Sequence, residues 1–447
     1  MRNKVIIKIV YFSIVILIGC SSKRINKVNI ITSDVVNFWN AYDKIQTIND
    51  SIEQMKYLKE LFLDKGTIGL KAMMKAKNTT SHEYLKAINK YPKFWESVRK
   101  NTLRTNEFSV KLEEGIEKLR KIYPNLKPAK LYFTISGLMS NGTTLDSLVL
   151  IGSELAMADM NTVSSEFSAR MNKNRRIFFD SNPIDNLVLL NVHEYVHTQQ
   201  NRPVNNLLSK VIREGVAEFV SVKAMGVPSV TPAVAYGKLN EKVRQKFEEV
   251  MFYGNNTHEW LWSDAPNDFS VRDLGYHIGY ELSERYYQQS KNKSDAIKKL
   301  IELDYTNEVE IENFVNGIGY FSESLESLYQ KFQNKRPYVV TVKQFKNKSE
   351  DVRASLNKLT IEFSEQMHQK FMNFDYGPLG KEAVVKFKKM IGYSKDGKLL
   401  TFEIEPLQPN KRYQLTVGRG FRNLKGVSLK GYLIDFKTVN TQTAIGF

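Results

Sequence analysis

Residues 191–200 read NVHEYVHTQQ, with His193 and His197 four positions apart and Glu194 directly after the first. On a helix, residues four apart share one face, so both imidazoles can reach one zinc ion at about 2.0–2.1 Å. Glu194 projects slightly aside, where a carboxylate accepts a proton from an activated water instead of ligating. The bland alternative is two histidines that merely pack or face solvent on a helix. A chance HExxH in a chain of this size is expected about once in a hundred, and only 6 histidines occur in the whole sequence. Hydrolysis at zinc needs a third protein ligand and an open position. The next helical stretch, VIREGVAEFV, offers two carboxylates, Glu214 and Glu218. Sixteen residues lie between His197 and Glu214, room for a short loop and a helix running back past the first.

The elements that must position these groups are legible in the periodicity. NFWNAYDKIQ, SIEQMKYLKELFLDKG and EEGIEKLRKIYPNL space apolar residues at three and four, with Gly66 and Pro124 as stops. KLYFTISG (130–137) and SLVLIGSELA (147–156) read as two strands joined by a turn at Ser140-Asn141-Gly142. Ser181 or Asn182 then caps a helix with Pro183 in its first turn, running through HEYVH to a stop before Pro203. A second helix is expected from about Asn206 to Ala224, closed by Gly226, and a third over VRDLGYHIGYELSERYYQQS. Past Pro337 the period changes to two. VVTVKQF, KLTIEFSEQM, LLTFEIEPL, YQLTVGRG and LIDFKTV predict five or more short strands, with a turn at Asp396-Gly397. The expected fold class is therefore α+β, a mostly helical part with a small sheet followed by a β-sandwich.

The motifs resemble those of the gluzincin clan of zinc peptidases. REGVAEF is similar to the NEGFAEF-type motif of the aminopeptidase N family, in which the glutamate before the glycine is the third ligand. The resemblance makes Glu214 that ligand and leaves Glu218, one turn on, to accept the ring N–H of a ligand histidine. The same family carries its oxyanion donor, a tyrosine, in a Y-x-x-G motif. Tyr276-His277-Ile278-Gly279 stands at the corresponding distance, with His277 and Tyr280 as alternates. The three motifs cover residues 190–280. The GAMEN-type sequence that grips a substrate amine is missing, and FTISGLMSNGTTLDSLVLIGSELA stands in its place, able to supply an edge strand for an extended peptide. HEYVH, REGVAEF, SNGTT and DLGYHIGYE together also look like a group of uncharacterised zinc-dependent protease lipoproteins of Gram-negative bacteria. The C-terminal phrases IEFSEQM and GYLIDFKT resemble bacterial Ig-like modules. His258 reads as a loop residue, and His82 as the start of a helix behind Thr80 or Ser81.

The N-terminus adds an address. Arg2 and Lys4 precede a short apolar run, then Leu17-Ile18-Gly19-Cys20, which resembles the lipobox of bacterial lipoproteins. That predicts a signal peptide at 1–19 and lipidation of Cys20, the single cysteine. Ser21-Ser22 carry no acidic retention signal, so the expected place is the cell envelope, at the outer membrane. The expected organisation is a zinc metallopeptidase domain at 20–335, its catalytic core at about 128–300, and an Ig-like domain at 336–447. A net charge of +17 is spread through the chain without an arginine-rich arm, which argues for a solvated basic surface and against nucleic acid. The expectation is a lipid-anchored peptidase with one Zn2+ per chain, acting on a peptide or protein and held to the membrane by its anchor. The alternatives are an inactive surface lipoprotein that binds a protein or glycan partner, and a zinc amidase acting on cell-wall material.

Overall fold

The computed structural model describes residues 29–253, 256–262 and 267–439. The expected signal segment and Cys20 lie outside them. Among the described residues no helix is long and apolar enough to cross a membrane. The fold is α+β, 48% helical with several small sheets, and its C-terminal part is sheet-rich. One large core gathers buried residues from Val35 to Leu328, and a second gathers those from Val339 to Phe436.

The first sheet comprises β1 (Asn29–Ile31), β2 (Lys130–Thr134), β3 (Gly142–Leu145) and β4 (Leu148–Gly152), in the order β1-β2-β4-β3. Period two explains its two buried faces. Leu131, Phe133, Val149 and Ile151 point into the main core, while Tyr132 and Leu150 pack on Ala72 and Met73 of the helix Ile68–Lys77. The expected hairpin is corrected here. β2 and β4 are parallel, so no tight turn can join them. Gly142 instead opens β3, and the turn sits at Asp146, which takes φ +53° before β4 pairs back antiparallel. The fully buried Glu154 holds the loop that leaves β2. Its carboxylate accepts the Ser136 N–H (2.9 Å) and hydroxyl (2.6 Å) and the Leu138 N–H (2.8 Å), folding 136–140 over the strand ends. Gly152 lets that loop close, because a Cβ there would lie 1.9 Å from the Ser140 carbonyl oxygen.

Three helices carry the motifs. The first is Leu187–His197, preceded by a 3-10 turn at Pro183–Asn186. Asn182 takes a left-handed conformation there and, contrary to expectation, caps no amide of the helix, its side-chain oxygen accepting the Met160 N–H at 3.1 Å instead. The helix also stops short of the expected end, because the Thr198 and Gln199 amides bond three residues back, to Tyr195 and Val196. The second helix, Leu207–Met225, matches its sequence signals: the Asn206 side chain accepts the Ser209 N–H at 2.8 Å, and Gly226 ends it at φ +68°. The third, Gly275–Gln289, starts later than its apolar pattern because Ser270 and Asp273 are left-handed. It crosses the second at near backbone contact. A Cβ on Gly215 would lie 2.0 Å from the Gly279 carbonyl carbon, and one on Gly279 would lie 2.0 Å from the Val211 oxygen. Only this glycine pair lets Glu214 and Tyr276 approach one point.

The C-terminal strands are β5 (Val339–Val342), β6 (Val352–Arg353), β7 (Lys358–Phe363), β8 (Phe374–Asp375), β9 (Phe387–Tyr393), β10 (Leu399–Ile404), β11 (Arg412–Val417) and β12 (Tyr432–Val439). They form two sheets, β5-β7-β10-β9 and β6-β12-β11-β8. Alternate residues of both, among them Leu359, Ile361, Leu400, Phe402, Leu415 and Ile434, share one core. Gly397 makes the expected turn between β9 and β10 at φ +69°.

Candidate metal centre

His193 and His197 lie one turn apart on the same face of Leu187–His197, their rings 4.7 Å apart and nearly perpendicular. Both are buried. The ring tautomers follow from their neighbours. His193 Nδ1 stands 3.2 Å from Glu218 Oε2, and His197 Nδ1 stands 2.7 Å from Gln200 Oε1. A carboxylate and an amide oxygen can only accept, so each Nδ1 carries a proton and Nε2 is the ring atom left to ligate once it carries none. Both Nε2 atoms converge on Glu214. Its Oε2 is 3.2 Å from His197 Nε2 and 3.7 Å from His193 Nε2.

The donor set fits a metal ion. Ligand atoms of His193, His197 and Glu214 all lie within 4.8 Å of one another. Two imidazoles and a carboxylate at zinc bond lengths occupy corners of a tetrahedron with edges of about 3.3 Å. The two Nε2–Oε2 separations bracket that value. The buried histidines and carboxylates lean on each other's charge. Burial works against a charged His193, yet Glu214 and Glu218 outweigh it and push its pKa up to about 10. Burial would raise Glu214, but the two histidines hold its carboxyl well below the usual range.

Each ligand is in turn held. Glu218, itself buried, uses its other oxygen to accept the hydroxyls of Ser229 and Thr231 (3.0 Å for Thr231), which follow the second helix. Gln200 donates its amide to the Arg213 carbonyl at 3.2 Å and to the Tyr305 hydroxyl at 3.1 Å. Such outer partners set ring orientation and ligand basicity. We therefore expect Glu218→Ala and Gln200→Leu each to weaken zinc binding about 10–100-fold, measured by competition with a chelating dye. Affinities equal to the parent would deny them that role.

Two further groups border the cluster. Glu194 is half-buried, and no hydrogen bond or ion pair ties its carboxylate among the described residues. A Cβ on Gly142 would sit 3.4 Å from its Cγ, so β3 runs beside it. Tyr276 donates its hydroxyl to Glu214 Oε2 at 2.8 Å and accepts the Trp262 indole N–H at 3.2 Å. Burial and the charge of Glu214 raise the phenol well above its ordinary pKa, so it is a donor at any working pH.

No family model matches this chain, and no curated protein does. Among solved structures, domains 1–6 of the surface layer protein SbsC align with a TM-score of 0.19 at 10% identity, covering 90% of this chain and 39% of that one. The N-terminal part of the bacterial S-layer protein SbsC aligns at 0.18 and 10%, covering 90% and 68%. The chain thus spans well under half the length of the first of these, and scores this low mark no shared fold.

The other sequence candidates fall outside the cluster. His277 is buried against Gly237 on the far side of its helix, its pKa lowered to about 4 by burial and by Lys238. Tyr280 packs on Phe219. His258 is exposed, in a short helix Thr257–Trp260 rather than a loop, and His82 is exposed behind a Thr80 cap. Conversely, sequence reasoning missed Gln200, Ser229, Thr231 and Trp262. Gln200 had a signal, since it continues the histidine face three residues past His197. The other three approach only through tertiary packing.

Proposed function

We propose that this chain is a zinc-dependent peptidase of the gluzincin kind. The observation that carries the reading is the convergence of His193 Nε2, His197 Nε2 and Glu214 Oε2, with the Tyr276 hydroxyl on Glu214 and an untethered carboxylate, Glu194, near enough for its charge to act on His193 and Tyr276. When bound, zinc lowers the pKa of water toward ~7 and polarises the scissile carbonyl. His193, His197 and Glu214 hold it. Glu194 takes the proton from the attacking water and returns it to the leaving amine. Tyr276 stabilises the charge developing on the carbonyl oxygen. β3, at the open edge of its sheet and beside Glu194, pairs with an extended peptide backbone. On the same reading Cys20 carries the lipid that places the enzyme at the outer membrane, and the two C-terminal sheets form an Ig-like β-sandwich.

The test is cleavage of a mixed peptide library by the zinc-loaded chain, read by mass spectrometry, with peptidoglycan fragments in parallel. Peptide cuts that stop on chelation and return with zinc support the proposal. Cuts confined to peptidoglycan amides would make the chain an amidase, and no cuts in either would leave a binding lipoprotein.

A further inference from the structure

The chain has 4 tryptophans, and three of them, Trp39, Trp95 and Trp260, are buried at 3%, 0% and 4% exposure. Trp262 is 50% exposed. It also takes φ +59°, in the left-handed region that a bulky side chain enters only when its surroundings hold it. Those surroundings are explicit. Trp260 and Leu261 just before it are anchored in the core, the Trp262 N–H donates to Asp273 Oδ1 at 2.7 Å, and the Asp273 carbonyl accepts the Tyr276 N–H at 3.0 Å. The carboxylate that holds the Trp262 backbone therefore belongs to the residue two before the Tyr276 helix. The indole N–H then reaches the Tyr276 hydroxyl at 3.2 Å, and that hydroxyl reaches the metal-ligating Glu214.

We propose that Trp262 is a wall of the substrate cleft, holding the Tyr276 hydroxyl with its indole N–H and receiving an apolar side chain of the peptide on its exposed ring face. The proposal rests on the peptidase reading and adds a substrate class, peptides with a large apolar residue next to the scissile bond. A strained backbone that spends a tryptophan on solvent has no packing rationale. A ring fixed at its N–H to Tyr276 and half exposed has a binding one. The indole N–H occupies a lone pair of the phenol oxygen and so supports the orientation in which the O–H points toward Glu214.

The test uses two peptide hydroxamates, one bearing a phenylalanine and the other an aspartate side chain, on the zinc-loaded full chain. Calorimetry reads binding, and iodide quenching of tryptophan fluorescence reads the accessibility of Trp262. The phenylalanine probe is expected to shield the parent from iodide, with no such change in Trp262→Phe. Trp262→Ala is expected to weaken that probe about tenfold and leave the aspartate probe unchanged. Trp262→Phe, which keeps the face and loses the N–H, is expected to lower kcat about five- to tenfold with KM held. A phenylalanine hydroxamate that binds while iodide quenching stays at the unbound level overturns the proposal, as does equal binding of both probes by parent and Trp262→Ala. Failure of both hydroxamates to bind the zinc-loaded protein overturns the peptidase reading, and this inference falls with it.

Discussion

Replacing Glu194 by glutamine is expected to abolish peptide turnover while leaving zinc content and thermal midpoint at their parent values. The substitution is nearly isosteric and removes one capacity, that of accepting a proton. The three ligand atoms belong to other residues, so the metal has no reason to leave. The half-buried Glu194 side chain makes no hydrogen bond among the described residues, so stability has little to lose. A positioned general base contributes about 10²–10⁴-fold, or roughly 3–5 kcal/mol of barrier. Loss of kcat on that scale, with KM little changed, marks a group that acts in the transition state rather than in binding. A Glu194→Gln chain that retains zinc and cuts as fast as the parent would sink the mechanism. One that loses zinc as well would mean Glu194 holds the site together rather than working in it.

The geometry around the two histidines was legible in sequence for a simple reason. Four-residue spacing on a helix is a local rule, and it needs only that Leu187–His197 be helical, which its apolar neighbours Leu189, Val192 and Val196 require. Glu214 followed from the likeness of REGVAEF to a known ligand motif, and the glycine in that motif, Gly215, is where the two helices touch. The strand order was not legible. β2 and β4 look like a hairpin because their lengths and alternation suit one. They are parallel because β3 comes between them in the chain and pairs back on β4, while a buried carboxylate, Glu154, holds the loop after β2 through amides sixteen to eighteen residues upstream. The C-terminal strands with one buried and one wetter face, β7 and β10, announced themselves by alternation. β9 did not, since Lys388 to Ile391 are exposed without a break, and β6 and β8 are two residues each. The hydroxyls of Ser229 and Thr231 and the ring of Trp262 escaped for the opposite reason to the histidines. They lie in irregular segments whose course is set by what they touch, and periodicity says nothing about such segments.

Glu214→Ala is expected to reduce zinc from about one per chain to a trace after dialysis, a loss of affinity on the order of 10³-fold or more, given that outer partners alone are worth about 10–100-fold. It should also change how binding depends on pH. In the metal-free chain burial opposes a charged His193, but Glu214 and Glu218 raise its pKa from the ordinary 6.5 to about 10. A raised histidine pKa adds stability that is fully present below about 6.5 and is lost as pH climbs through 10. That proton must leave before His193 can ligate. Zinc affinity of the parent should therefore rise about tenfold per pH unit from near neutrality until His193 deprotonates. Calorimetry in buffers of different ionisation enthalpy should show about one proton released per zinc. Removing Glu214 withdraws one of the carboxylates that hold the proton, so the residual binding should level off at lower pH. Unchanged zinc content in Glu214→Ala, with the parent's pH profile intact, would place the third ligand elsewhere. Glu218, the remaining buried carboxylate at the histidines, would then be the residue to replace next.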